Sequence, residues 1–539
     1  LVRNKLASWK LAPRAMTTTR AVWIFIFVLT AIRLAFLSTV LLSPDEAYYW
    51  MWSQRLAPSY FSKGPGVAFV IRAGTMLFGD NEFGVRFWSP LCGAGTSLLL
   101  YYFARRLFSA LAGFWLVVAL NITPIFNLGS FVLTIDPLSI FFWVAAFYAF
   151  WLALERSPDF SWWWPFTGLL IGLGFLCKFT NALELVSILL VLVLVPRLRR
   201  EFLRPNLYLL IVVSALCTIP TIIWNSQHAW ITLAHLKSRG SLDSAPGFHP
   251  LELLSFLGEH FATYSPILFL GLAWAVIASW RRARQSFKVL YLLWFGLPVF
   301  ILYALLSINK AAAPNWDGLA FLSLGVLAIS YWRERSASRV TGNNWINAGV
   351  LLGLVMSAVL VGLLVNNQGI DRRGRDPSDR LRGWRSLAAA VGQVRSDFEK
   401  QTGQPVFLIA DERDRAAELS FYLPEKRIAG PGHPPVYIPE SQDMLNQFSF
   451  WPRYDEFEPL PPGAPRDPNE IYTEEQGVSL FVGRNALYLQ QGKKGGIPRS
   501  IRDAFGRTEY IATIEVRAGH RLLRELQVFA CYDYRTMPL

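Results

Sequence analysis

Apolar residues dominate the chain between residues 21 and 366, in runs broken by short polar and basic stretches. A helix crosses the hydrocarbon core with about 20 such residues. The runs lie at approximately 21–42, 84–104, 111–128, 132–154, 163–178, 181–196, 205–224, 262–280, 288–306, 313–332 and 345–366. The pattern therefore predicts a polytopic α-helical membrane domain of about eleven transmembrane helices. The short runs 163–178 and 181–196 read either as two spans or as a kinked or re-entrant pair. From 371 to 539 the pattern changes to mixed charge, many prolines and short alternating stretches. This predicts a C-terminal soluble α/β domain, with strands at Pro405–Ala410 and Val478–Gly483 and a helix over 412–422. Residues 1–20 form a basic N-terminus, with Arg3, Lys5, Lys10, Arg14 and Arg20. The first apolar run continues to Leu42 without a small-residue cleavage site, so it reads as a retained span rather than a signal peptide.

Composition narrows the class. The chain is 53% hydrophobic and 17% charged, against about 25% charged in an ordinary soluble domain, and its mean hydropathy is +0.31. Disorder, a coiled coil and a conventional soluble enzyme are excluded. The net charge of +14 sits in clusters between apolar runs: Arg105 and Arg106; Arg156; Arg197, Arg199, Arg200 and Arg204; Arg281, Arg282, Arg284 and Lys288; Arg333, Arg335 and Arg339. With the N-terminus in the cytoplasm nearly all of them fall on the cytoplasmic side, which is a topology signal rather than a nucleic-acid stripe. An odd number of spans then places 371–539 on the periplasmic face. Cys92, Cys177 and Cys217 lie in apolar runs and Cys531 is alone in the tail, with no CxxC motif. A P-loop, a GxGxxG after a strand, a GxSxG and an HExxH are all missing, so ATP use, Rossmann cofactors and serine hydrolysis lack support.

On this topology the polar residues gather at the non-cytoplasmic ends. They are Asp45, Glu46 and Lys63 in the first loop, 43–83; Asp136; Lys178 and Asn181; Asn225, Gln227, His228 and His235; and Asn309, Lys310, Asn315 and Asp317. Ionisable groups at such depth mark function, and their convergence on one face predicts a single extracytoplasmic site at the bilayer surface. Each motif also has a bland reading. Ser43-Pro44-Asp45-Glu46 can be an N-cap, an N1 proline and a capping box. Functionally, Asp45 or Glu46 can take a proton from an attacking hydroxyl or amine. Tyr60-Phe61-Ser62-Lys63-Gly64-Pro65-Gly66 is a tight turn that lets backbone approach a ligand. Lys63 is there a phosphate-binding charge or a lysine snorkelling to headgroups. Asp136 before Pro137 reads locally as an N-cap and N1 pair. Ser307–Trp316 is a plain loop, or one that opens space for a ligand with Lys310 directed at negative charge.

Taken in order, several segments resemble one family. They are Asp45-Glu46-Ala47-Tyr48-Tyr49-Trp50, Tyr60-Phe61-Ser62-Lys63-Gly64-Pro65, Thr134-Ile135-Asp136-Pro137-Leu138, Gly172–Thr180 with Lys178, Trp224-Asn225-Ser226-Gln227-His228, and Lys310 with Pro314-Asn315-Trp316. The set resembles the bacterial branch of the GT-C polyprenyl-phosphate-sugar glycosyltransferases, which includes the protein O-mannosyltransferases and the lipid A aminoarabinose transferase. The match covers roughly residues 20–366, with a less diagnostic likeness at Gly383-Trp384 and Ala416–Pro424. The resemblance implies an inverting transfer of a sugar from a polyprenyl-phosphate donor to an extracytoplasmic acceptor: lipid A, a surface glycan or a protein. It implies Asp45 as the base, with Glu46 and Asp136 assisting by orienting the acceptor or a metal. Lys63, Lys310 and Tyr60 would hold the donor phosphate and lipid carrier. Lys178, Asn225, His228, Asn315 and Trp316 would line the substrate pocket. Relatives often carry an acidic residue before the lysine of the first loop. Here it is Ser62, which leaves a divalent metal ion open and no cofactor firmly implied. A transporter or flippase of lipid-linked sugars and a non-catalytic membrane scaffold are the rival readings. The gathering of polar residues at one face favours the enzyme.

Overall fold

The computed structural model describes residues 2–240, 247–309, 313–337, 344–365, 377–456, 479–492 and 495–535. It divides into two compact units, Leu1–Ser38 with Ala57–Gly362, and Thr39–Leu56 with Leu363–Leu539. In chain order the helices begin with α1 (Val2–Phe36), α2 (Pro44–Ser53), which belongs to the second unit, α3 (Gly66–Phe78) and α4 (Glu82–Arg86). Next come α5 (Trp88–Leu107), α6 (Ala110–Ile122), the short α7 (Pro124–Gly129), α8 (Ile135–Arg156), α9 (Trp163–Cys177) and α10 (Leu183–Leu194). The first unit closes with α11 (Pro205–Gln227), α12 (Ile231–Arg239), α13 (Pro250–Tyr264), α14 (Pro266–Ser279), α15 (Phe287–Asn309), α16 (Ala320–Ala337) and α17 (Asn344–Val365).

Each apolar run read from the sequence carries a helix. Among the described residues, however, only five helices are long and apolar enough to cross a membrane, or up to seven when each bent pair is one span. The reason lies in breaks within the runs. The stretch after Lys178 makes a short 3-10 turn before α10, and the chain then bends by 117° at Pro196. Pro250–Tyr264 and Pro266–Arg284 are bent by 115°, where Pro266 cannot donate to the α13 ladder. The helices still form one core. Two thirds (67%) of the apolar window of α8 is buried, against 17% for α1 and for α17, so α8 is the central strut. Around it Phe103, Phe147, Tyr291 and Phe295 stack, with the Tyr291 hydroxyl donating to the Phe147 carbonyl at 2.5 Å. Between helices in lipid such packing and hydrogen bonding, rather than exclusion of water, provides the attraction. The chain is a multi-pass membrane protein.

The second unit holds α2, α18 (Trp384–Thr402), β1 (Phe407–Ala410), α19 (Arg413–Tyr422), β2 (Ala486–Gln491), α20 (Arg499–Ala504), β3 (Phe505–Ala518) and β4 (Arg521–Tyr534). The sheet order is β1-β2-β4-β3, parallel between β1 and β2 and antiparallel elsewhere. The α/β reading of the tail holds, as do the strand within 405–410 and the helix within 412–422. The strand expected at Val478–Gly483 is wrong over its described part. Phe481 is a buried core residue packed on Phe407, but the chain turns at Gly483, whose φ is +78°, and the strand starts only at Ala486. A run of apolar residues alone could not separate a core-filling turn from a strand.

Candidate functional site

In the first unit the chemistry gathers at the start of α8. Its cap is Thr134, whose hydroxyl accepts from the Asp136 backbone N–H at 3.3 Å. The reading of Asp136 as N-cap and Pro137 as N1 is thereby corrected, because the helix begins earlier. With capping done by Thr134, the Asp136 carboxylate is available to its neighbours. Lys178 Nζ donates to Asp136 Oδ1 at 2.8 Å and to the Asn315 carbonyl at 3.0 Å, and Asn315 Nδ2 donates to Asp136 Oδ2 at 2.9 Å. Lys178 can point this way because α9 stops at Cys177 and Lys178 is extended, with φ −149°. Asn181, fully buried, locks the next turn to α8 by donating to the Ser139 carbonyl at 3.0 Å.

The first-loop turn packs onto the same place. A Cβ at Gly64 would stand 2.3 Å from the Leu176 carbonyl oxygen, and one at Gly66 2.6 Å from Cys177 Sγ. Only glycine permits this approach to the end of α9. It brings Lys63 near enough for its charge to act on Asp136. Tyr60 is buried, its hydroxyl accepts from Ala57 N–H at 3.1 Å, and its carbonyl accepts from Thr232 at 3.2 Å. Trp316 lies beside Tyr303, with Arg239 5.3 Å above its ring. Asn225 and His228 sit at the end of α11, and the Asn225 Oδ1 is buried without a hydrogen-bond partner. Asn225 Nδ2 donates to Thr221 O at 2.9 Å, and His228 bonds Trp224 O at 2.7 Å and stacks on its ring. These hydrogen bonds run along their own helix. Lys310 lies outside the described residues.

One pair escaped the sequence reading. His260 on α13 meets both carboxylate oxygens of Asp317 at 3.1 Å, and both side chains are fully buried. His260 Nδ1 faces the Phe256 carbonyl at 2.6 Å, so it carries a proton, and Nε2 and Asp317 share another. With Lys178 on Asn315 and the Tyr264 hydroxyl donating to Pro314 O at 3.4 Å, this pair pins the segment that carries Asn315 and Trp316. No motif spacing could have linked His260 to Asp317 across an intervening span.

Asp136 and Asn315 line a mostly apolar cavity of about 450 Å³ together with Thr96, Asn121, Ser130 and Thr134 and with Leu120, Ile125, Phe126, Ile140 and Leu360. An apolar cavity of about 770 Å³ shares Leu120, Phe126 and Tyr264 with it and is otherwise lined by residues such as Trp115, Leu268, Phe269 and Trp332.

Asp45 and Glu46 belong to the second unit, on α2. The capping box is present: Ser43 N–H donates to Glu46 Oε2 at 2.9 Å and Glu46 N–H to Ser43 Oγ at 3.4 Å. Glu46 is fully buried, whereas the Asp45 side chain is 57% exposed. Arg413 Nη2 lies 3.5 Å from Asp45 Oδ1 and 2.9 Å from Asp414 Oδ1, and its guanidinium sits 4.6 Å over the Tyr48 ring. Burial works to lower the Arg413 pKa, but Tyr48, Asp414 and Asp45 together hold it above the ordinary value. Burial pushes the Tyr48 hydroxyl up, so it stays protonated; it accepts from Gln447 N–H at 2.7 Å. The buried face of α19, Ala416–Phe421, receives α2, with Trp50 against Phe421 at 5.0 Å. Arg413 was not anticipated, although it stands three residues before the Ala416–Pro424 motif.

Among the described residues no group of three or more His, Cys, Asp or Glu side chains could hold a metal ion.

Against known proteins, the family model described as dolichyl-phosphate-mannose-protein mannosyltransferase matches residues 62–224. The lipid A galacturonosyltransferase RgtD of Rhizobium johnstonii is 28% identical over 403 residues, covering 74% of this chain and 81% of that protein. The undecaprenyl phosphate-alpha-4-amino-4-deoxy-L-arabinose arabinosyl transferase of Edwardsiella ictaluri is 27% identical over 334 residues, and the match spans only 57% of either chain. The crystal structure of ArnT from Cupriavidus metallidurans bound to undecaprenyl phosphate superposes with a TM-score of 0.59 at 18% identity, covering 95% of this chain and 98% of that one. The last likeness establishes the fold. The resemblance drawn from the ordered motifs is borne out: in sequence and in fold the chain is similar to membrane glycosyltransferases of the GT-C type.

Proposed function

We propose that this enzyme moves a sugar from a polyprenyl-phosphate donor to a lipid A-type acceptor at the periplasmic face of the inner membrane, with inversion at the anomeric carbon. The N-terminus is then cytoplasmic, residues 21–366 carry the transmembrane domain with its first loop 43–83, and 371–539 form a periplasmic domain. The observation that carries the reading is the Asp136–Lys178–Asn315 cluster, of which Asp136 and Asn315 line a mostly apolar cavity. A compact polar cluster set in an otherwise apolar lining suits a substrate with a sugar head and a lipid body. The relatives named for lipid A and for undecaprenyl phosphate support the same classes of acceptor and donor.

The acceptor oxygen attacks the anomeric carbon, its proton passes to Asp45, and the bond from that carbon to the phosphate oxygen breaks. Polyprenyl phosphate leaves with the electron pair. Exposure suits Asp45 to this role, since the base must meet an acceptor. The charge that develops on the leaving phosphate is met by Lys63 and Lys310, with Tyr60 shaping the turn that carries Lys63. Glu46 fixes α2 and so the direction of Asp45. Asp136 orients sugar hydroxyls, with Lys178, Asn225, His228, Asn315 and Trp316 lining the pocket.

The test uses full-length protein in lipid with polyprenyl phosphates carrying different sugars and with lipid A, a surface glycan or a peptide as acceptor. Wild type is expected to transfer one donor's sugar to lipid A. Asp45→Asn is expected to abolish transfer while donor still raises the melting temperature. Undiminished transfer by Asp45→Asn would remove the base assignment. Lipid-linked sugar crossing the bilayer without transfer would instead favour a flippase.

A further inference from the structure

The apolar cavity of about 770 Å³ lies between α6, α14, α16 and the start of α17. Its volume is that of a site for a small lipid or ligand. On α16 its lining runs from Phe321 to Ser336, about 22 Å of helix. That is more than half of a hydrocarbon core about 30 Å thick, room enough for one long acyl chain. The two ends differ in character. One end holds Leu120, Phe126 and Tyr264, shared with the cavity of Asp136. The other is lined by Arg333, Ser336, Trp345 and Asn347. Neighbours of Arg333 in the same turn are engaged: Glu334 meets Arg282 at 3.2 Å and Arg335 donates to the Tyr331 hydroxyl at 3.3 Å. Among the described residues no carboxylate pairs with Arg333, and the side chains of Ser336 and Asn347 have no hydrogen-bond partner. Trp345, 77% exposed, suits the level of the lipid headgroups. A long apolar slot thus ends in a cation and two polar groups, all lining residues.

We propose that this slot seats an anionic phospholipid of the bilayer, with its phosphate at Arg333, Ser336 and Asn347 and one acyl chain along the apolar walls toward Tyr264. A guanidinium pairs with phosphate oxygens through two donors, and basic pockets between membrane helices take anionic headgroups. Arg333 belongs to a basic cluster of the cytoplasmic side in the proposed orientation, so the lipid comes from that leaflet. The rival occupant is the polyprenyl chain of the donor. It would enter from the Asp136 end and lay hydrocarbon against Arg333, where a charge is costly. The phospholipid instead gives the charge an anion. Its seat is independent of the transferase reading.

The experiment is native mass spectrometry of the full chain released from micelles, titrated with phosphatidylglycerol or phosphatidylcholine of matched chains. Wild type is expected to bind phosphatidylglycerol about ten-fold or more tightly than phosphatidylcholine. Arg333→Gln is expected to bring the first down to the level of the second. Arg282→Gln, which removes a neighbouring basic residue that does not line the slot, is expected to keep the preference. A Cβ at Gly325 would meet Leu116 Cδ1 at an ordinary 3.6 Å, so Gly325→Leu puts its side chain into the slot and is expected to weaken both lipids. Undecaprenyl phosphate is expected not to displace phosphatidylglycerol. The proposal is overturned by wild type without a preference, by Arg333→Gln that keeps it, by Arg282→Gln that loses it, or by Gly325→Leu that binds both lipids as wild type does. Displacement by undecaprenyl phosphate overturns it too and gives the slot to the donor chain. If Gly325→Leu does not fold, wild type with a phosphatidylglycerol carrying a diazirine near the acyl end decides. Adducts on α6, α14 or α16 support the seat, and adducts confined to other helices overturn it.

Discussion

Lys178 supports the start of α8 twice over, and the two contacts can be separated energetically. Lys178→Met removes its bonds to Asp136 and to the Asn315 carbonyl. It leaves a carboxylate that is only 20% exposed, with Asn315 Nδ2 at 2.9 Å and the Thr134 hydroxyl at 3.5 Å as donors to it. Removing one member of a buried ion pair costs about 3–5 kcal/mol. Partial exposure of Asp136 and its surviving bond to Asn315 reduce that to roughly 2–3 kcal/mol. Asp136→Asn strands Lys178 less severely, because the ammonium keeps the Asn315 carbonyl, and about 1–2 kcal/mol is expected. In the double variant neither charge is left unpaired. The cycle should therefore show a coupling of at least about 1 kcal/mol, the double costing less than the sum. The assay is unfolding by titration with SDS in mixed micelles, following the full chain. Additivity of the two single variants to within about 0.5 kcal/mol would refute the reasoning. So would a Lys178→Met cost no larger than that of Asp136→Asn.

Other expectations follow from the same contacts. His260→Phe should destabilise the chain by about 3 kcal/mol, and adding Asp317→Leu should restore much of it, because a buried pair replaced by apolar groups leaves no stranded charge; the same titration reads this. Asp45→Asn should cut transfer by about 10²–10⁴-fold with little effect on melting, whereas Glu46→Gln should cost about 1 kcal/mol of stability through the capping box. In the second unit burial, reinforced by Asp455, pushes Glu440 up to about 8 even with Arg453 Nε 2.7 Å away. Its folded pKa exceeds the unfolded value of about 4.3, so its stabilising contribution is present below that value and declines as pH rises toward the folded pKa, by up to about 1.4 kcal/mol per pH unit. Protease resistance of the second unit in the full chain should fall from about pH 5 to about pH 9, and Glu440→Gln should flatten the profile.

The helices of the first unit were legible because apolar runs and basic loops record the bilayer directly. Their lengths were not. The breaks after Lys178 and at Pro266 depend on how α10 and α14 turn against neighbours, and hydropathy averages across such turns. The long hairpin of β3 and β4 was missed for a related reason. Its exposed face alternates polar residues with Tyr510, Thr513 and Val516, while register shifts at Tyr510/Ala512 and Val516/Arg517 interrupt the alternation that would have betrayed it.

The candidate site was legible in its residue types and illegible in its pairings. Asp136 and Lys178 came out as separate members of a polar set. What joins them is the extended conformation at Lys178 and a cap supplied by Thr134 instead of Asp136. Asp45 and Glu46 make the same point at closest range. They are adjacent in sequence and chemically alike, and either could be the base. Successive residues on a helix point about 100° apart. The third position after the cap must turn back to close the capping box, so Glu46 is consumed by Ser43 and buried. Asp45, one position earlier, has no such obligation and remains exposed beside Arg413. The helix start therefore discriminates between two carboxylates by geometry, giving one a structural bond and leaving the other reachable by an acceptor. The contrast between the Asp45→Asn and Glu46→Gln variants is for that reason the informative pair: a base loses rate, a cap loses stability, and a reversal of the two outcomes would exchange their roles.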